Sequence, residues 1–150
     1  MKGISWSEEF SIDHGTLDDE QKIAFFIVNR FIEMGRHFRS PDHALEFLEA
    51  LILHSKYHFH HEEEYMLSIE YPLYQQHKMI HKNILDELKQ IIAKLKKTKG
   101  EDLTETSRET AKYLKYWLTQ HVLVHDMDIK TFVEGETKIE QNSVDVYLVG

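Results

Sequence analysis

Histidine and carboxylate side chains recur at four-residue spacing in three separate stretches of this chain. The pairs are His58 with Glu62 in YHFHHEEEYM (57–66), His77 with His81 in YPLYQQHKMIH (71–81), and His121 with His125 in WLTQHVLVHD (117–126). Residues four apart on an α-helix share one face, about 6 Å apart along the axis. Imidazoles with a minority of carboxylates suit iron, zinc, copper or nickel. The spacing therefore indicates three helices that each present metal-ligating side chains to one side.

The absence of cysteine narrows the chemistry that these side chains can support. Without thiols there is no disulfide, thiolate zinc site, iron–sulfur cluster or cysteine nucleophile, so a transition metal must be bound by His, Asp and Glu. A single buried histidine is usually a core residue paired with a carbonyl group, but random placement of eleven histidines would not put one pair on each of three helices. One tetrahedral zinc would leave several donors unpaired, whereas two ions sharing carboxylates would use all of them. The pattern favours two metal ions.

The chain contains four long segments with helical periodicity, and three of them carry these pairs. The predicted helices cover about 17–38, Pro41 to about 68 with Ser40 as N-cap, Pro72 to about 99, and about 103–132 behind a capping box of Asp102 and Glu105. Short connections make neighbouring helices antiparallel. The fold class is therefore predicted to be all-α, an up-down-up-down four-helix bundle.

The remaining segments flank this bundle within one domain that covers residues 1–150. The bundle is assigned to 17–132, an extended arm to 1–16 and a short tail to 133–150, in which residues 144–149 alternate like a strand. The aromatic residues expected in the core are Trp6, Phe26, Phe59, Tyr113 and Trp117.

Charge and hydropathy exclude two classes of partner. The formal net charge is −8 and the longest basic cluster, at 94–100, is short, which argues against nucleic acid or an anionic membrane as the partner. The chain shows neither a signal-peptide core nor an apolar window long enough to span a membrane. A soluble, cytoplasmic and monomeric protein is expected.

The motifs, taken in order, resemble those of the hemerythrins, in particular the single-domain bacterial type. The resemblance rests on Trp6, on FSIDHGTLDDEQ (10–21) and on the three segments quoted above, and it covers residues 6 to about 132. It implies a non-haem centre of two iron ions, joined by an oxo or hydroxo bridge, that binds dioxygen reversibly. Nitric oxide is a second diatomic ligand to consider.

The resemblance also implies a role for individual residues. His77, His81 and His121 would ligate one iron, His58 would ligate the oxygen-binding iron, and Glu62 and Asp126 would bridge the two. The gas pocket would be walled by Trp117, Leu118 and Val122. Asp126 lies five residues after His121, so spacing alone would select His125, which stays a reserve candidate. A local widening of the helix would reconcile the spacing with the family pattern.

One ligand position departs from the family pattern. The first helix of hemerythrins carries a further histidine ligand of the oxygen-binding iron, and here that position is Gln21. Because a carboxamide is a weak neutral donor, either another side chain completes the site or the second iron is weakly bound or absent. The candidate substitutes are His54, Gln21 itself, His125 and His14.

Three functions follow from this pattern. The first is a carrier, store or sensor of a diatomic gas, and it is favoured over an enzyme. The second is a diiron oxidase or peroxidase-like enzyme, disfavoured because Glu-x-x-His, which ferritin-like oxidases carry, occurs nowhere in the chain. The third is a degenerate iron-binding bundle that serves in iron storage or as an interaction module.

Overall fold

The computed structural model of the protein describes residues 1–35 and 37–135, and this part of the chain is all-helical. Its helices are α1 (Thr16–Met34), α2 (Pro41–Ser68), α3 (Tyr74–Lys96), α4 (Leu103–Gln120) and α5 (Met127–Glu134), with a π-helical segment, His121–Asp126, between the last two. Short 3-10 turns at Glu8–Phe10 and Gly100–Asp102 precede α1 and α4. Helix α1 packs against α2 and α4, and α3 packs against α2 and α4. The predicted four-helix bundle is confirmed, with α4, the π segment and α5 forming its fourth rod.

The helix ends follow the local sequence in some places and depart from it in others. At α2 the Ser40 side chain accepts a hydrogen bond from the His43 N–H, and Pro41 is the first helical residue, as predicted. Helix α1 ends at Met34, earlier than the predicted 38. The capping box at Asp102 is wrong, because that side chain makes no capping hydrogen bond and a 3-10 turn leads into α4 instead.

The core lies along the bundle axis and excludes one aromatic residue that the sequence placed in it. Phe59 and Trp117 are buried, while Trp6 and Tyr113 are partly buried against the core. Phe26 is 64% exposed, so its assignment to the core was wrong. Its neighbour Phe25 lies on the buried face of α1 instead, together with Leu17, Ala24, Val28 and Phe31.

The N-terminal arm is fixed to the bundle by polar and aromatic contacts. The side chain of Asn29 accepts a hydrogen bond from the Ile4 N–H (2.7 Å) and donates one to the Ile4 carbonyl (2.8 Å), as a neighbouring strand would. The Asp18 carboxylate accepts bonds from the Ser11 hydroxyl (2.5 Å) and the Ile12 N–H (2.7 Å). These contacts hold the Trp6 ring beside the first turns of α1, where the candidate site begins.

Two further expectations concern the ends of the chain and its environment. The strand-like alternation predicted at 144–149 lies outside the described residues. Among the helices of the described part, none combines the length and the apolar character that crossing a membrane requires.

Candidate metal centre

Glu62 lies at the middle of the bundle and is the point where three helices meet. Its carboxylate is fully buried, and its Oε1 accepts hydrogen bonds from His77 Nε2 (2.7 Å) and His81 Nε2 (3.0 Å) of α3. His121 Nε2 lies 4.0 Å from the same oxygen. One ligand atom from each of Glu62, His77, His81 and His121 fits within 4.8 Å of the others, so these four buried residues could hold one cation.

The π-helical segment brings Asp126 to the same place as His121. The widened turn runs from His121 to Asp126, and both of these end residues are buried. Asp126 Oδ1 lies 3.2 Å from His121 Nε2 and 3.3 Å from His77 Nε2. A residue five positions on returns to the same face when backbone hydrogen bonds run from i to i+5, as in a π-helix. The anticipated local widening of the helix is therefore present between His121 and Asp126.

A second group of donors shares Glu62 with the first. His58 Nε2 lies 3.4 Å from Glu62 Oε2, and one atom from each of His58, Glu62 and Asp126 fits within 4.8 Å of the others. All three residues are buried. The structure thus brings all six sequence-predicted metal ligands together, in two groups that have Glu62 in common.

Unpaired polar atoms inside this cluster fit a bound cation. Within the described part of the chain, Glu62 Oε2, Asp126 Oδ1 and His121 Nε2 are buried and have no hydrogen-bond partner. Buried carboxylate oxygen and imidazole nitrogen atoms are costly to leave unpaired. Metal ions held by the two donor groups would satisfy these atoms, so the donor set is suited to metal.

Burial and neighbouring side chains set the pKa values of the residues in the cluster. Burial would lower the pKa of His58, but the hydrogen bond with Glu20 and the nearby Glu62 carboxylate raise it to about 10. Burial would raise the pKa of Glu62, but the His77 charge and contacts with the imidazoles of His58, His77 and His81 hold it well below its usual range. An ionised Glu62 therefore faces a protonated His58, whose ring proton a metal ion must replace.

Two carboxylates that the sequence argument did not assign to the site orient its imidazoles. Glu20 of α1 is buried, and its Oε1 lies 3.1 Å from His58 Nδ1 while its Oε2 lies 2.5 Å from His61 Nδ1. Glu63 Oε2 lies 2.8 Å from His81 Nδ1. The contacts to His58 and His81 occupy Nδ1 and leave Nε2 facing Glu62, which is the arrangement found around metal-bound histidines. The sequence offered two signals for these roles: Glu20 directly precedes Gln21, and Glu63 directly follows Glu62.

Gln21 adjoins the second donor group through its contact with Asp126. Its side-chain oxygen accepts a hydrogen bond from the Trp6 indole N–H (2.7 Å), and its nitrogen donates one to Asp126 Oδ2 (3.2 Å). The residue is 2% exposed.

The other candidate substitutes lie outside the two donor groups. His54 Nε2 contacts the main-chain carbonyl oxygen of Glu20 (2.7 Å). His14 is exposed in the arm and contacts the Ser11 hydroxyl. His125 is half-buried, with its ring 5.9 Å from that of His121. Among the described residues, these three join neither group of possible ligands.

A small cavity borders the second donor group. Its volume is about 10 Å³, and the residues around it include Gln21, His58, Asp126, Trp117, Leu118 and Val122. This is about the space of one water molecule. The three apolar residues predicted to wall a gas pocket thus lie together, beside the donor group that contains His58.

A helical bundle with two carboxylate-sharing donor groups in its core defines a candidate metal-binding protein of the four-helix class. Comparison with known proteins gives the family: residues 14–133 match the model of the hemerythrin HHE cation binding domain. The chain is 31% identical to a bacteriohemerythrin of Campylobacter jejuni over 71% of this chain and 90% of the relative. It is 30% identical to a myohemerythrin of Theromyzon tessulatum over 83% of this chain and 89% of the relative. The protein belongs to the hemerythrin family.

Proposed function

We propose that this protein holds two iron ions in the bundle core and binds dioxygen reversibly beside His58, as a carrier, store or sensor. The observation that carries the proposal is the sharing of Glu62 between a group rich in imidazole and a group that borders a small apolar cavity. Membership of the hemerythrin family supports iron as the metal and dioxygen as the ligand.

The two groups differ in the number of donor atoms and would leave different numbers of metal positions open. His77, His81 and His121 with Glu62 would hold one ion through three nitrogen atoms and an oxygen atom, leaving few positions open. His58, Glu62 and Asp126 would hold the other, leaving positions open toward the cavity. Bound ferrous iron supplies the electrons that reversible dioxygen binding requires. Glu62 belongs to both groups and would therefore keep the two ions adjacent.

The surrounding residues support binding over turnover. Trp117, Leu118 and Val122 are nearly fully buried and give the cavity an apolar wall. An apolar wall excludes water and protons, which promote irreversible oxidation of a reduced metal centre. Glu20 and Glu63 fix the rings of His58 and His81, so the donor atoms need little rearrangement when metal binds.

Anaerobic reconstitution with ferrous iron tests the proposal. Elemental analysis is expected to give two irons per chain, and the visible absorption that appears with oxygen is expected to vanish under vacuum and return over several cycles. Glu62→Gln is expected to abolish the two-iron form, whereas Glu64→Gln, the same change at an exposed position two residues away, is expected to leave it intact.

Other outcomes would replace the proposal. Catalytic consumption of oxygen would indicate a diiron oxidase, and a colourless protein with one iron or none would indicate the degenerate bundle. A monomeric state and a cytoplasmic location remain predictions from the sequence, to be measured by light scattering and by fractionation.

A further inference from the structure

Gln21 occupies the position at which the resemblance expects a histidine ligand, and its hydrogen bonds restrict what it can do there. Its oxygen faces the Trp6 indole nitrogen at 2.7 Å, and its nitrogen faces Asp126 Oδ2 at 3.2 Å. Both atoms of the amide are therefore engaged. The oxygen, the only atom of this side chain that would bind a metal well, points to the N-terminal arm.

The chemistry of its two neighbours fixes the orientation of this amide. An indole N–H can only donate a hydrogen bond, and an ionised carboxylate can only accept. The opposite orientation would place the amide NH2 against the indole N–H and the amide oxygen against the carboxylate, losing both bonds in a buried site. Each loss would leave a desolvated polar group, which is costly. The orientation thus follows from the partners.

The Trp6 ring is itself held from two sides. Lys22 Nζ lies 4.3 Å from the centre of the ring on one face, and the Phe10 ring meets it edge-on at 6.5 Å. The indole N–H is consequently presented to Gln21 by a fixed ring. The N-terminal arm is therefore connected to the centre through the Trp6 side chain.

Asp126 divides its two oxygen atoms between this amide and the donor cluster. Oδ2 accepts the bond from Gln21, while Oδ1 faces His77 and His121 at 3.3 and 3.2 Å and, among the described residues, has no hydrogen-bond partner. A carboxylate held at one oxygen presents the other in a fixed direction.

We propose that Gln21 is a positioning residue and not a metal ligand: the relay Trp6–Gln21–Asp126 aims Asp126 Oδ1 at the metal centre. This inference rests on the proposed function in one respect, that Asp126 binds metal. If Gln21 is not a ligand, the second ion would have at most three protein ligands, His58, Glu62 and Asp126, whereas the first donor group alone offers four. The two ions are then bound with unequal affinity.

The relay can be tested in the metal-free full-length chain by NMR. The chain has only two tryptophans, so the ¹⁵N-labelled protein gives two indole N–H signals. Gln21→Leu is expected to shift the Trp6 indole signal upfield and to leave that of Trp117 in place, because the Trp117 N–H has no partner among the described residues. Gln90→Leu, the same change on an exposed part of α3, is the control. An unmoved Trp6 signal in a folded Gln21→Leu protein would overturn the inference.

The positioning role is tested by the affinity for the second ferrous ion, measured anaerobically against a competing chelator. Loss of a residue that orients a ligand lowers metal affinity about 10–100-fold. Gln21→Leu and Trp6→Phe are each expected to lower the affinity for the second ferrous ion by this amount. The double variant is expected to lower it by no more than the larger single effect. If Gln21→Leu weakens the second ion and Trp6→Phe does not, Gln21 is a ligand and the inference is wrong.

The NMR and metal-affinity experiments together separate this inference from the proposed function. Trp6→Phe changes a residue of the N-terminal arm, so the affinity measurement stays decisive if Gln21→Leu fails to fold. A wild-type chain that binds fewer than two irons would refute the diiron proposal, and the indole signals would still decide whether the relay exists.

Discussion

Glu20 offers a sharp test of how the two donor groups differ, because it contacts only one of them. Its Oε1 lies 3.1 Å from Nδ1 of His58, the single imidazole of the second group, and the residue is 6% exposed. Glu20→Ala removes the acceptor that fixes this ring, and water has little access to replace it. The expected loss is about 10–100-fold in affinity for the second ion, or roughly 1.4–2.7 kcal/mol.

Glu63 provides the matched change in the first group. It contacts His81 Nδ1 at 2.8 Å, but its side chain is 18% exposed, so water can replace part of what it provides. Glu63→Ala is therefore expected to lower the affinity for the first ion by about tenfold or less and to leave the affinity for the second nearly unchanged. Asp19→Ala, the loss of an exposed carboxylate beside Glu20, controls for net charge and should change neither affinity.

The assay is an anaerobic titration with ferrous iron against a chelator, with elemental analysis at each plateau. Unfolding of the metal-free variants is measured separately, so that a loss of stability is not counted as a loss of affinity. Equal weakening of both ions by Glu20→Ala, or no weakening of either, would refute the assignment of His58 to a separate second group.

Three further changes test other parts of the molecule. Gln21→His should raise second-iron occupancy at sub-saturating ferrous iron and slow the loss of colour over repeated oxygen cycles, and unchanged occupancy by elemental analysis would contradict this. At Asp18, burial opposes ionisation, but hydrogen bonds from Ser11 and the Ile12 and Asp13 N–H groups lower the pKa. The folded form therefore gains stability above the pKa of the unfolded chain and loses it as pH falls through the lower folded value, so Asp18→Asn should cost about 1.5–3 kcal/mol near neutral pH and flatten the acid slope in denaturant titrations. Phe31→Ala, at a fully buried position, should cost about 3–5 kcal/mol in the free energy of unfolding, without changing iron stoichiometry.

Much of the fold could be predicted because its signals are local. Ser40 and Pro41 mark the start of α2 through backbone chemistry alone, and the structure places both as predicted. Phe26 shows the limit of periodicity. Apolar residues occur on several faces of α1, and only the positions of α2 and α4 decide that Phe25 is buried and Phe26 is not.

The six candidate ligands could be named from sequence because helix spacing and the family pattern agree on most of them. Their supporting residues could not, because those contacts join segments distant in the chain. Glu20 and His58 are 38 residues apart, and Gln21 and Asp126 are 105 residues apart. A carboxylate or an amide in an isolated helix does not show which imidazole it will face, so this part of the centre emerges only with the packing of α1.

His125 and Asp126 show how helix geometry and site chemistry determine each other. On a regular α-helix, His125 would share the face of His121, and Asp126 would be rotated by about 140° from it. The π-helical turn reverses this choice: Asp126 is buried against His77 and His121, and His125 is left half-buried at the edge. π-Helical turns are rare and concentrate at functional sites. A carboxylate here can accept the Gln21 hydrogen bond with one oxygen and face the cluster with the other. An imidazole could not do both, because a neutral ring has only one acceptor nitrogen. The widened turn is therefore the means by which the fourth rod supplies both an imidazole and a carboxylate to one point in the core.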